Sequence, residues 1–352
     1  MKVLSVVGAR PQFIKAAPVS RQLRRHHQEV LLHTGQHYDH GMSQVFFDDL
    51  GIPLPDINLG IGSATHGRQT GDMLAGVESV LLEEQPDWML VYGDTNSTLA
   101  GALAAAKLHI PVGHIEAGLR SFNKTMPEEI NRVLTDHVAD LLFCPTETAV
   151  SNLAVEGIAA GVHNTGDVML DAVLHYASVA EERSTILDEL ALEPRSYLLA
   201  TIHRPRNTDR TESLCAILEA LSQVGETVIF PVHPRTSKVM RAEELSVSAS
   251  VRLIEPVGYL DMLQLEHSAR LIVTDSGGVQ KEAYFLAVPC VTLRQETEWV
   301  ETVEAGWNML VKADKERILE SVRSFSAPAT HPEVFGDGHA AEKIVHLLET
   351  TR

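Results

Sequence analysis

Short, β-branched apolar runs recur along the whole chain, each followed by a polar or glycine-containing turn and then a longer amphipathic stretch. Runs of that length read as strands and the stretches between them as helical crossovers. The pattern therefore predicts parallel sheets wound with helices, an α/β fold. Strands are expected at residues 3–7, 30–33, 88–92, 112–115 and 141–144, with residues 166–169 ending the series. After a helical connector at 181–192 the pattern restarts at 197–201, 227–231, 251–254, 271–274 and 290–293, and a helix at 340–348 closes the chain. The restart predicts two similar domains, the first over residues 1–167 and the second beginning at residue 168.

Totals narrow the partners. With 352 residues, of which 44% are hydrophobic, about two domains with real cores are expected. Twenty-nine basic against 47 acidic residues give a net charge of −18, so nucleic acid and anionic membranes are expected to be repelled. An anionic ligand must then be met by local cations. Met1-Lys2 leads straight into a strand pattern without a signal-peptide layout, and no apolar run approaches the roughly 20 residues a membrane span needs. A cytoplasmic protein is expected. Cys144, Cys215 and Cys290 stand alone in apolar segments and read as reduced core residues. His37-Tyr38-Asp39-His40 is the one dense cluster of metal-binding types but lacks ligand spacing, so no metal is expected. No GxGxxG follows a strand and no GxxxxGK[ST] occurs, which weighs against nicotinamide and P-loop chemistry, and Ser276 is not in a GxSxG elbow.

In open α/β sheets ligands sit outside the carboxyl ends of the strands, and the polar clusters fall there. After the run ending at Thr274 comes Asp275-Ser276-Gly277-Gly278-Val279-Gln280-Lys281-Glu282, a strand, a tight turn and a helix start. Ser276 can cap the helix, and Gly277 and Gly278 let an anion approach bare backbone at the positive end of the helix dipole. Glu282, one turn in, can accept hydrogen bonds from vicinal hydroxyls such as those of a ribose. An ordinary capped turn has the same wording. Arg10 and Lys15 open the helix after the first strand, where cations are mildly unfavourable unless an anion compensates; solvated surface charges are the alternative. Asp94, Glu116 and Glu128 follow neighbouring strands and suggest a set of proton donors and acceptors, although capping and a good helix start would also account for them. His203, beside Arg204 and Arg206, reads as an anion contact or a hydrogen-bonding histidine.

Together these stretches resemble the non-hydrolysing UDP-N-acetylglucosamine 2-epimerases nearly end to end. The residues that carry the resemblance are the turn 8–15, Thr34-Gly35-Gln36-His37, Gly93-Asp94-Thr95, His114-Ile115-Glu116-Ala117-Gly118-Leu119-Arg120, Pro127-Glu128-Glu129-Ile130-Asn131-Arg132, His203-Arg204 and the turn 274–282. The resemblance implies two Rossmann-like domains facing across a cleft in the glycosyltransferase-B manner, with the terminal helix 340–352 returning to the first domain so that the second spans 168–339, a homodimer, and an isomerase acting on a UDP-sugar without metal or cofactor. It implies anti elimination of UDP across C1 and C2 to a 2-acetamidoglucal, then re-addition, interconverting UDP-GlcNAc and UDP-ManNAc. Asp94, Glu116 and Glu128 would be the acid/base set with His203 at the diphosphate. Arg10, Lys15, Ser276, Gly277, Gly278 and Glu282 would bind UDP, and Gln36, His37, Arg68 and Gln69 match the loops of an activator site.

Two departures widen the choice of substrate. Arg206 stands where many members have glutamate, and residues 8–15 and 296–299 look like a subgroup that includes epimerases of UDP-2,3-diacetamido-2,3-dideoxyglucuronic acid. For that sugar, Arg294 or Arg206 would meet the C6 carboxylate. A glycosyltransferase of the same architecture is the remaining alternative.

Overall fold

The structure, a computed structural model, describes residues 1–35, 47 and 50–351. It divides into two compact units, Met1–Ala172 with Glu333–Arg352, and Val173–Pro332.

Among the described residues the first unit is built on a seven-stranded parallel sheet of order β3-β2-β1-β4-β5-β6-β7. Its strands are β1 (Lys2–Val7), β2 (Gln28–His33), β3 (Ile57–Asn58), β4 (Trp88–Tyr92), β5 (Val112–Ile115), β6 (Leu141–Cys144) and β7 (Val162–Asn164). Between them lie α1 (Arg10–His26), α2 (His66–Glu84), α3 (Asn96–Lys107), α4 (Pro127–Val138) and α5 (Glu147–Val155). Helices cover both faces, so the central strands are buried throughout and read as continuous apolar runs. Leu4, Val6, Leu32, Met89 and Val91 pack with Val77, Ala102 and Ala105 in one core. Each large aliphatic side chain buried there contributes about 1.5–3 kcal/mol relative to exposure.

Along α6 (Val168–Arg183) the chain passes into the second unit. There α7 (Ile186–Glu189) leads to β8 (Tyr197–Thr201), α8 (Pro205–Thr208), α9 (Thr211–Gln223), β9 (Thr227–Pro231), α10 (Pro234–Ala242), β10 (Val251–Ile254) and α11 (Tyr259–Ser268). Then come β11 (Leu271–Thr274), α12 (Gly277–Phe285), β12 (Cys290–Thr292), α13 (Val300–Glu304), β13 (Asn308–Leu310) and α14 (Lys315–Ser324). The chain ends in the first unit with α15 (Ala340–Thr350). The second sheet is six-stranded and parallel, of order β10-β9-β8-β11-β12-β13.

Two parallel-sheet α/β units are the fold class that the alternation predicts. One strand is misplaced in that reading: residues 166–169 are not a strand, and β7 lies at Val162–Asn164. Gly166 turns there at φ +84, where a Cβ would come 2.8 Å from the Phe335 carbonyl, and Val168 and Met169 are the first turn of α6. The 181–192 connector is the end of α6 followed by α7 rather than one helix.

Both sheets run outward in opposite directions from a switch point, β1/β4 in the first unit and β8/β11 in the second. Crevices at such points take ligands in open α/β sheets. The turns after those four strands carry Gly8, Gly93, His203 and Ser276. No helix of the described residues is long and apolar enough to cross a membrane.

Candidate active site

In the first unit the turn after β1 is pulled against β4. Gly8 and Ala9 N–H groups donate to Gln12 Oε1 at 2.8 and 3.0 Å, while Gln12 Nε2 donates to the Tyr92 carbonyl at 2.6 Å. Position 8 must be glycine, because a Cβ would lie 2.0 Å from Ser97 Oγ. This brings Lys15, on the second turn of α1, to the end of the neighbouring strands. Its ammonium pairs with the Glu116 carboxylate, both largely buried. A Cβ on Gly93 would stand 3.2 Å from Glu116 Oε2 and 3.4 Å from Lys15 Nζ, so the Gly93 backbone completes this corner. Glu116 itself is held at φ +71, a left-handed conformation that a glutamate adopts only under constraint.

Asp94 is held by Arg132, whose other nitrogen reaches Glu129 Oε2 at 3.0 Å. Burial disfavours the Arg132 charge, yet the carboxylates of Asp94, Glu129 and Glu116 keep the guanidinium above its ordinary value. Asn131 Nδ2 donates to the Asp94 carbonyl at 3.0 Å and to Asn96 Oδ1 at 3.1 Å. Asn96 in turn donates to Gln69 Oε1 at 2.9 Å. Burial would raise Glu129, but the backbone N–H groups of Ser121 and Phe122, the Ser121 hydroxyl and Arg132 together hold it below the carboxylate range.

A second layer lies behind Glu116. His114 Nδ1 lies 2.7 Å from Asp136 Oδ1 and Nε2 lies 2.7 Å from the Gly93 carbonyl oxygen, so both ring nitrogens face acceptors. Arg120 Nη1 donates to Asp136 Oδ2 at 2.7 Å and its other nitrogens fork onto Glu156. Burial would raise the Asp136 carboxyl, and His114 and Arg120 outweigh it to hold the group low.

In the second unit Asp275, fully buried, organises the switch point. Its carboxylate accepts from the His203 N–H at 3.0 Å, the Arg204 N–H at 3.0 Å and Asn207 Nδ2 at 3.0 Å. The His203 ring packs 5.5 Å from His233, and burial lowers its imidazole; Asp275 opposes this, while His233 and Arg204 add to it. Ser276 caps α12 by accepting from Val279 N–H at 3.4 Å, and its own N–H donates to Thr274 Oγ1. Around Gly277 three nitrogens gather: a Cβ there would lie 3.5 Å from Arg204 Nη2, 3.7 Å from Trp299 Nε1 and 3.8 Å from Arg294 Nη1. Glu282 lies nearly buried along α12.

The first unit thus gathers Lys15, Asp94 and Glu116 from their separate loops, and the second gathers His203, Ser276, Gly277 and Gly278. Arg10 is exposed at the start of α1. Glu128 is exposed on the first turn of α4 and has no hydrogen bond or ion pair among the described residues. Arg68 is exposed and lies 3.3 Å from Asp72, whereas Gln69 is buried in the Asn96 network. Gln36, His37 and the whole cluster 37–40 lie outside the described residues. Among the described residues no three His, Cys, Asp or Glu side chains form a metal-holding group. Residue patterns did not single out Gln12, Arg132, Asp136 or Asp275. Asp275, lying between a strand end and a glycine turn, had the most readable signal.

The sequence model of the family described as UDP-N-acetylglucosamine 2-epimerase matches residues 21–349. A Methanococcus maripaludis protein named UDP-N-acetylglucosamine 2-epimerase homolog is 56% identical, and a Pseudomonas aeruginosa UDP-2,3-diacetamido-2,3-dideoxy-D-glucuronate 2-epimerase is 50% identical, each aligned over 99% of both chains. The crystal structure of Methanocaldococcus jannaschii UDP-GlcNAc 2-epimerase in complex with UDP-GlcNAc and UDP is similar over 99% of both chains, with 45% identity and a TM-score of 0.90. The chain therefore belongs to the UDP-N-acetylglucosamine 2-epimerase family, a family of isomerases.

Proposed function

We propose that this protein is a non-hydrolysing 2-epimerase that interconverts UDP-GlcNAc and UDP-ManNAc. The observation that carries the reading is the pair of carboxylates Asp94 and Glu116 at the first sheet's switch point, each held by a cation. A C2 proton is not acidic, so departure of UDP has to lead. Cations and a helix start must then stabilise the leaving diphosphate. Ser276, Gly277, Gly278, His203, Arg10 and Lys15 take that role, and Glu282 accepts from the ribose hydroxyls.

The C1–O bond breaks with its electron pair going to UDP, a carboxylate removes the C2 proton, and the C1–C2 double bond of the 2-acetamidoglucal forms. Return of a proton to the opposite face of C2, with the UDP oxygen rejoining C1, inverts that centre. Asp94, Glu116 and Glu128 are the acid/base set. Lys15 links the two events: as the diphosphate gathers charge it competes with Glu116 for the ammonium, and the released carboxylate is the stronger base.

A second reading, favoured by the 50% identical Pseudomonas relative, replaces the substrate with UDP-2,3-diacetamido-2,3-dideoxyglucuronic acid and gives its C6 carboxylate to Arg294 or Arg206. Incubating the protein with each sugar nucleotide in heavy water and following C2 by NMR separates the two. Deuterium at C2 with a manno product from UDP-GlcNAc is expected. Exchange only in the uronic acid selects the second reading, and exchange in neither sinks both. The assembly is a cytoplasmic homodimer, which light scattering tests. Ligand at Arg68 and Gln69 would act on the Asp94 loop through Asn96 and Asn131, so added UDP-GlcNAc is expected to speed the reaction started from UDP-ManNAc.

A further inference from the structure

We propose that Glu298 is a positioning residue of the diphosphate site, one carboxylate that sets two guanidinium groups around the bare backbone of Gly277. This rests on the reading of Ser276–Gly278 as the holder of the leaving group.

The geometry is asymmetric in a useful way. Glu298 Oε2 accepts from Arg294 Nη1 at 2.7 Å, and Oε1 lies 3.7 Å from Arg204 Nη2. Those same two nitrogens are the ones that approach the space over Gly277, at 3.8 and 3.5 Å from a Cβ built there. Trp299, the next residue along, brings Nε1 to 3.7 Å of that point while its ring stacks 4.0 Å over the buried Lys281 ammonium. Arg204 comes from the turn after β8, while Arg294, Glu298 and Trp299 come from the stretch after β12.

Two guanidiniums this close repel, and a carboxylate set against both offsets that repulsion. Glu298, whose side chain is 13% exposed, holds them in place before any ligand arrives. The N-terminus of α12 and the guanidinium N–H groups not taken by Glu298 still face an anion there. A planar guanidinium presents five N–H donors in a fixed fork, so the bond to Glu298 leaves the shape needed to take phosphate oxygens. Holding donors in place beforehand removes the ordering cost from binding and from the transition state. Glu298 does not touch the substrate in this account. It acts through Arg204 and Arg294.

The test is calorimetric titration of the full chain with UDP and with UMP, for the wild type, Glu298→Gln, Glu298→Ala, Glu298→Asp and Arg294→Ala, with melting temperatures recorded for each. If Glu298 orders the donors for the diphosphate, Glu298→Ala and Glu298→Gln weaken UDP binding about tenfold more than UMP binding, and Glu298→Asp recovers part of the loss. In turnover, KM rises and kcat falls together. Equal losses for UDP and UMP would mark Glu298 as merely structural and overturn the proposal, as would a folded Glu298→Ala protein with wild-type affinity. A wild type that binds no UDP would overturn the underlying reading and this one with it.

Discussion

His114 and Asp136 meet at 2.7 Å with neither side chain reaching solvent, and the far edge of the same ring meets the Gly93 carbonyl at 2.7 Å. One imidazole thus ties the helix α4 to the turn that presents Asp94. Gly93 turns at φ +63 to make that presentation. The Gly93-Asp94 turn is therefore carried by this braced layer rather than by a loop alone.

Asp136→Asn keeps the shape but strips the charge against which His114 and Arg120 are buried. Breaking a buried pair on one side costs about 3–5 kcal/mol, which lowers the melting temperature of a unit this size by roughly 10 °C. Scanning calorimetry reads this directly, and an unchanged melting temperature would mean that the Asp136 charge contributes little.

Asp94→Asn, Glu116→Gln and Glu128→Gln should each lower kcat by about 10²–10⁴ while UDP affinity changes little. Steady-state kinetics alongside UDP titration checks both halves. Glu128 is the discriminating case, because it stands exposed on α4 with no partner among the described residues. Near-wild-type turnover in Glu128→Gln would reduce it to a residue that suits a helix start.

Glu266 on α11 is fully buried, and neither carboxylate oxygen has a hydrogen-bond partner among the described residues. Burial, reinforced by the nearby Glu282 charge, pushes its carboxyl well above the ordinary value. Tyr259 on the same helix, Tyr197 on β8 and Cys290 on β12 are the other titratable groups that feel it. The folded state therefore keeps a proton that the unfolded chain releases, so this contribution to stability is full at acid pH and is lost as pH rises through the raised value. Glu266→Gln is expected to flatten the fall in melting temperature between pH 5 and pH 9, on the order of those limits, and to be more stable than wild type at the alkaline end. Parallel pH profiles for the two proteins would refute the assignment of the proton to Glu266.

Glu282→Ala removes the proposed acceptor of the ribose hydroxyls, and hydrogen bonds to a charged group contribute about 1.5–3 kcal/mol each. UDP affinity is expected to fall roughly 10- to 100-fold, with UMP affected as much as UDP because both share the ribose. Titration with the two nucleotides checks this, and a loss confined to UDP would move Glu282 from the ribose to the phosphates.

Periodicity made the central strands legible because parallel strands covered on both faces must be apolar at every position. Residues 88–92, 112–115, 197–201 and 271–274 are such strands. The edge strands β3, β7 and β13 are two or three residues long and half-exposed, so they carry no apolar run to read. That is why the strand ending the first series was placed at 166–169. The turns that follow the central strands were legible too, since glycines and polar residues interrupt the apolar runs there.

Residue types and their order along the chain were enough for the fold class and the family. Partnerships were not, because they join residues far apart in sequence: Lys15 with Glu116, Asp94 with Arg132, His114 with Asp136, Asp275 with the His203 turn. Folding alone brings those charges into contact, and a carboxylate's basicity depends on which cation it then meets. Chain order can nominate Asp94 and Glu116 as an acid/base pair. Only the fold shows that Arg132 lies against Asp94 and Lys15 against Glu116.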